Sequence, residues 1–73
     1  MSKGTLYTSK AQANVSTGAR QAWMYFEDLY PYSKLVSIQF DFTCQEWVAK
    51  FIGKFAGNPH TSYASKAEME NFK

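Results

Sequence analysis

Between Ala19 and Phe42 the spacing of apolar residues changes from a helical period to a strand period, and Pro31 stands at the junction. At 100° per residue Ala19, Ala22, Trp23, Phe26, Leu29 and Tyr30 fall within one stripe, which predicts a helix laid on a core. Pro31 stops it, because a proline disfavours helical backbone at the residue before it. Beyond Lys34 the pattern becomes strict alternation. Val36, Ile38, Phe40 and Phe42 share one face of a strand over residues 34–42, and Ser37, Gln39 and Asp41 share the other. A chain that must bury a helix stripe and a strand face side by side is predicted to be an α+β layer.

The flanking segments extend this pattern. Gly4 to Ser9 carries β-branched and aromatic residues and predicts a short edge strand. Residues 10–18 are small and polar and predict a connection, with Ser16 or Thr17 as the cap of the helix that follows. Thr43-Cys44-Gln45-Glu46 fits a capping box and predicts a second amphipathic helix. Its stripe holds Cys44, Trp47, Val48, Phe51, Ile52 and Phe55, its wet side holds Glu46, Lys50 and Lys54, and Gly57-Asn58-Pro59 ends it. Gly53 costs such a helix about 1 kcal/mol relative to alanine and suggests a close backbone approach. His60 to Ala64 predicts a third strand, and Ser65-Lys66-Ala67-Glu68 is a further capping box opening a terminal helical turn through Met69 and Phe72. The expected architecture is a single compact domain over 1–73: a small single-layer sheet of two or three strands packed against two amphipathic helices. Fraying is expected at 1–3 and 66–73.

Composition limits the chemistry. A chain of 73 residues buries only about 60% of its unfolded surface, so the core is small. The chain spends two Trp, five Tyr and six Phe but only one His and one Cys. That inventory provides contact area and little acid-base or nucleophilic equipment, and it predicts a protein that is not an enzyme. Cys44 and His60 are the only Cys and His, and although a Cys-His nucleophilic pair is conceivable, the predicted helix places Cys44 on its apolar stripe. One His and one Cys supply two of the four ligands zinc usually takes, and no glycine-rich phosphate loop is present, so neither metal nor cofactor is expected. The carboxylates Asp28 and Asp41, or Glu27 and Glu46, have no fixed separation and read as surface acids. A lone cysteine and the absence of a signal-like start predict a reducing, cytoplasmic setting, in which the Asn14-Val15-Ser16 sequon is silent. The longest apolar run, Trp47 to Ala56, is broken by Lys50, Gly53 and Lys54 and is too short for a membrane span.

The formal charge of +2 is unevenly distributed. Residues 1–26 carry Lys3, Lys10 and Arg20 without an acid, 27–46 carry Glu27, Asp28, Asp41 and Glu46 against Lys34, and Lys50, Lys54 and Lys66 follow. This predicts an acidic strip between two weakly basic ones. Nucleic acid is one partner class such a chain suggests, through Lys3, Lys10, Arg20, Lys50 and Lys54, although no three cations cluster in sequence.

Filling a two-layer core with Trp23, Phe26, Phe40, Phe42, Trp47, Phe51 and Phe55 leaves Tyr7, Tyr25, Tyr30, Tyr32, Tyr63, Phe72 and Met24 over. Met24 lies opposite the stripe of its helix, between Arg20 and Asp28. An outward methionine among aromatic and charged neighbours has the composition of an interface centre with a polar rim. The predicted protein-binding residues are Met24, Tyr25, Tyr30 and Tyr32 as anchors and Arg20, Glu27 and Asp28 as the rim. In general type, short, aromatic and cysteine-poor, the chain is similar to the small early proteins with which bacteriophages and mobile elements disable host enzymes. That resemblance covers no motif; it implies a larger host protein as partner, masked in the host cytoplasm. A third expectation is self-assembly by edge pairing of the strand over 34–42, to be blocked by Gln39→Pro.

Overall fold

The computed structural model describes residues 3–53 and 59–70. Seven elements follow in order: β1 (Lys3–Tyr7), α1 (Lys10–Ala13), α2 (Thr17–Leu29), β2 (Ser33–Asp41), β3 (Glu46–Gly53), β4 (Pro59–Ser65) and α3 (Lys66–Glu70). The strands form one antiparallel sheet in the order β1-β2-β3-β4, and the helices share one of its faces. The fold is α+β as expected, but the sheet has four strands and the described helices number three. Lys54, Phe55, Gly57, Asn58 and Phe72, invoked above for the second helix and the terminal turn, lie outside the described residues.

Local chemistry sets the helix boundaries. The Ser16 hydroxyl caps α2 by accepting from the Ala19 amide at 3.5 Å, and the chain leaves the helix at Tyr30, just before Pro31. Ala19, Ala22, Trp23 and Phe26 are the buried stripe. The polar connection contains a single helical turn, α1. Ser9 caps it by accepting from the Gln12 amide at 3.1 Å, while the Gln12 carboxamide oxygen reaches back to the amide and hydroxyl of Thr8. At the other end of the chain Ser65 accepts from the Glu68 amide at 3.2 Å, which starts α3 where the capping pattern puts it.

The second amphipathic helix is a strand instead. Asp41 accepts from the Thr43 amide at 2.9 Å, Gln45 turns through the left-handed region at φ 53°, and the chain returns as β3. Trp, Val, Phe, Ile and Gly are weak helix formers, and the first four are strong strand formers. In β3, Trp47, Ala49 and Phe51 face the helices at a period of two, and β3 gains a ladder on each side, with β2 and with β4. Those two ladders outweigh one capping box.

A bulge corrects the reading of β2 as well. Leu35 pairs with Phe51 but Ser37 pairs with Lys50, so Val36 is the extra residue and the alternation changes phase. Leu35 and Ile38 are buried and Phe40 half-buried on the helical side, while Val36 is exposed and Phe42 lies in the hairpin turn. The core joins Ala13, Phe26 and Met69 of the three helices to Ile38, Phe51 and Ala64 of the sheet, with the Phe26 and Phe51 rings edge-to-face at 6.1 Å. β2 is hydrogen-bonded on both sides, so it has no free edge for a second copy; the edges of the sheet are β1 and β4.

Candidate functional site

The residues expected to bind a partner separate into those left outward and those drawn in. Arg20, Met24, Glu27 and Asp28 are exposed along α2, Met24 at 41%. Glu27 faces Lys10 of α1 at 3.7 Å, a surface pair contributing about 0–1 kcal/mol. Tyr25 is half-buried: its ring stands edge-on to Phe26 and its hydroxyl donates to the Glu68 carboxylate at 3.2 Å, tying α2 to α3. Burial pushes the Tyr25 pKa above its ordinary value, and the hydrogen bond to Glu68, the charge of Glu68 and that of Tyr30 act in the same direction. Tyr30 turns inward, edge-on to Phe51 at 4.9 Å and to His60 at 5.4 Å, with its hydroxyl 3.2 Å from that of Ser62. Tyr32 stands free on the turn, 80% exposed. Of the four expected anchors, Met24 and Tyr32 are thus the freely presented ones.

A larger concavity lies elsewhere, at the end of the sheet where the β2–β3 hairpin turns. It is a groove of about 630 Å³ bounded by β1, the first turns of α2, the hairpin and α3. Four rings run along it in sequence of contact: Tyr7 to Trp47 at 6.5 Å, Trp47 to Phe40 at 5.2 Å and Phe40 to Phe42 at 5.0 Å. The glycines make the space. A Cβ on Gly4 would sit 3.1 Å from the Phe42 ring, tighter than ordinary contact, and one on Gly18 would touch Trp47 at 3.8 Å. Met69 adds an apolar end, and Thr5, Gln21 and Lys66 supply the polar groups, Lys66 being the only charge among the described residues of the lining. An apolar groove with a few convergent polar groups can hold side chains of a partner but carries no acid-base pair. The groove runs on into the expected surface, since Gln21 lines it and Met24 and Tyr25 follow one turn later on α2.

Sequence reasoning missed this groove because it placed Phe40, Phe42 and Trp47 in the core. The period-two reading of residues 47–51 was the signal that could have found it, since it pairs Trp47 with Phe40 across a hairpin. Cys44 is exposed in that hairpin, whereas His60 pairs with Phe51 toward the far end of β3, about 17 Å along the strand from Glu46. His60 stacks flat on Phe51 at 4.8 Å, and its Nε2 lies 3.4 Å from the Ser33 hydroxyl. Among the described residues no group of three His, Cys, Asp or Glu side chains could hold a metal, and no helix is long and apolar enough to cross a membrane. The cations suggested for nucleic acid are spread apart. Lys3 and Lys50 flank a small depression of about 70 Å³ on the sheet face away from the helices, Lys10 pairs with Glu27, Arg20 is on α2, and Lys54 lies outside the described residues. No family model matches the chain, nor does any curated protein or any solved structure.

Proposed function

We propose that the chain is a small non-enzymatic binding module that occludes a surface of a larger protein. The observation that carries this reading is the ring series Tyr7, Trp47, Phe40 and Phe42 along an open groove that continues into the exposed Met24 of α2. Aromatic rings and methionine give large contact area at little entropic cost, and they are the residues that dominate interface energetics. Lys66 at the groove sets a preference for an apolar segment that also carries a carboxylate. Mechanistically the action is steric masking. A host enzyme or complex disabled by a phage or mobile-element protein is the partner type that the composition suggests, and the groove supplies the place where it would be held.

The test is affinity capture from nuclease-treated bacterial lysate with the native chain beside Phe42→Ala and Met24→Asp. Both residues are exposed, so both variants should keep the wild-type melting profile. A stoichiometric protein retained by the native chain and lost with Phe42→Ala supports the reading. Retention undiminished in both variants would move the interface elsewhere, and a signal removed by the nuclease would replace it with nucleic acid.

A further inference from the structure

The face of the sheet turned away from the helices has a pattern of its own. Cross-strand neighbours share a face, and the register aligns Leu6, Gln39, Val48 and Tyr63 in one row across all four strands. Leu6 is exposed, Tyr63 is 60% exposed and Val48 is half-buried, so the apolar side chains of this row are left uncovered by the described helices. Two residues along β3 on one side of Val48 stands Glu46, beside Asp41 of β2; two residues on the other side stands Lys50, and Lys34 lies one step further. An antiparallel sheet ordinarily shows water a polar face. This one shows a largely apolar centre, with Gln39 within it, between a row that carries Asp41 and Glu46 beside Lys3 of β1 and a row that carries Lys50.

We propose that this face is a docking surface for a second copy of the chain, packed sheet on sheet about a two-fold axis that crosses the strands at Val48. Such an axis sets β3 against β3 of the other copy, running the opposite way. Val48 then meets Val48, Tyr63 meets Tyr63, and each Glu46 faces a Lys50 twice over, because the two charges are equidistant from Val48. A surface of this kind is self-complementary, which is what a two-fold interface requires. Aligned packing of twisted sheets about 10 Å apart accommodates these side chains. Four strands about 4.8 Å apart and about eight residues long project roughly 500 Å², below the about 800 Å² per partner of standard complexes, so the dimer is expected to be a weak one. The groove and α2 stay outside this interface, and pairing is independent of the masking function.

The test uses sedimentation equilibrium of the full chain over a micromolar-to-millimolar series. The native chain is expected to dimerise; Lys50→Glu and Glu46→Lys are each expected to weaken association about tenfold or more, by setting like charges opposite each other twice. An equimolar mixture of the two variants is expected to recover native association, since every contact is again between opposite charges. Tyr63→Glu is expected to be monomeric and Phe42→Ala dimeric. Melting curves on each exposed-site variant establish that it is folded. A native chain that stays monomeric through the series overturns the proposal, and so does a dimer indifferent to both single reversals or one whose mixed variants fail to recover.

Discussion

Phe26 is fully buried under α2, edge-on to both Tyr25 and Phe51, so its side chain is shared between the two layers. Truncation there combines lost transfer energy with a cavity the sheet cannot close. Phe26→Ala is expected to cost about 3–5 kcal/mol in a denaturant titration, a large share of the stability of a domain this small. Val15→Ala, at an exposed position, is expected to stay within about 0.5 kcal/mol. Tyr25 makes a different kind of contribution, through its proton. Its pKa is raised, by burial first and by Glu68 second, so the folded chain keeps the phenol proton at pH values where the unfolded chain has released it. The associated stability is fully present below the ordinary tyrosine pKa of about 10 and falls as pH rises through the folded value. Ultraviolet titration of the phenolate should find Tyr25 ionising above its ordinary value. Glu68→Gln should bring that titration down only part of the way, since burial, the larger cause, remains; an unchanged titration would remove Glu68 from the account.

At the scale of elements, α2 was legible because its caps, stripe and proline stop all indicate the same structure, and it appears within two residues at its start and one at its end. α3 was legible from the capping pattern at Ser65, and β4 lies where a short third strand over His60 to Ala64 was expected. β3 was not, because Trp47, Val48, Phe51 and Ile52 satisfy a helical stripe while Trp47, Ala49 and Phe51 satisfy a strand, and only the two neighbouring strands decide between them. The bulge at Val36 was equally hidden, since nothing local marks an extra residue inside a regular alternation. Phe40 and Trp47 do lie on the helical side but only half-buried, and the hairpin that replaced the helix carries Phe42 out of the core, so the groove was missed. Met24 and Tyr32, the expected anchors, needed no pairing information, and both are exposed. The hairpin that replaced the helix turns at Gln45, whose φ of 53° is a conformation a glycine enters without a steric penalty. Gln45→Gly is expected to stabilise the chain by up to about 1 kcal/mol, read as a shift in the denaturation midpoint with unchanged slope. A loss of stability would mean that Gln45 makes contacts worth more than its backbone strain.

Among the described residues one layer of helices covers one face of the sheet and none covers the other, and this asymmetry links folding to association. A domain of this size buries too little apolar surface for a large margin of stability, while the row Leu6, Val48 and Tyr63 remains in water. Pairing through that row binds only the folded state, so by mass action it must raise the apparent stability as protein concentration rises. Scanning calorimetry of the native chain is therefore expected to give a melting temperature that climbs with concentration, by about 4–8 °C for each kcal/mol of linkage. Tyr63→Glu is expected to melt at one temperature throughout, equal to the dilute limit of the native chain, because its exposed ring contributes to the dimer and not to the monomer's core. Should the variant instead melt well below that limit, Tyr63 would belong to the monomer's own stability. Should both chains show the same concentration dependence, association would run through another surface, with the groove formed by Trp47 and Phe42 as the first to examine.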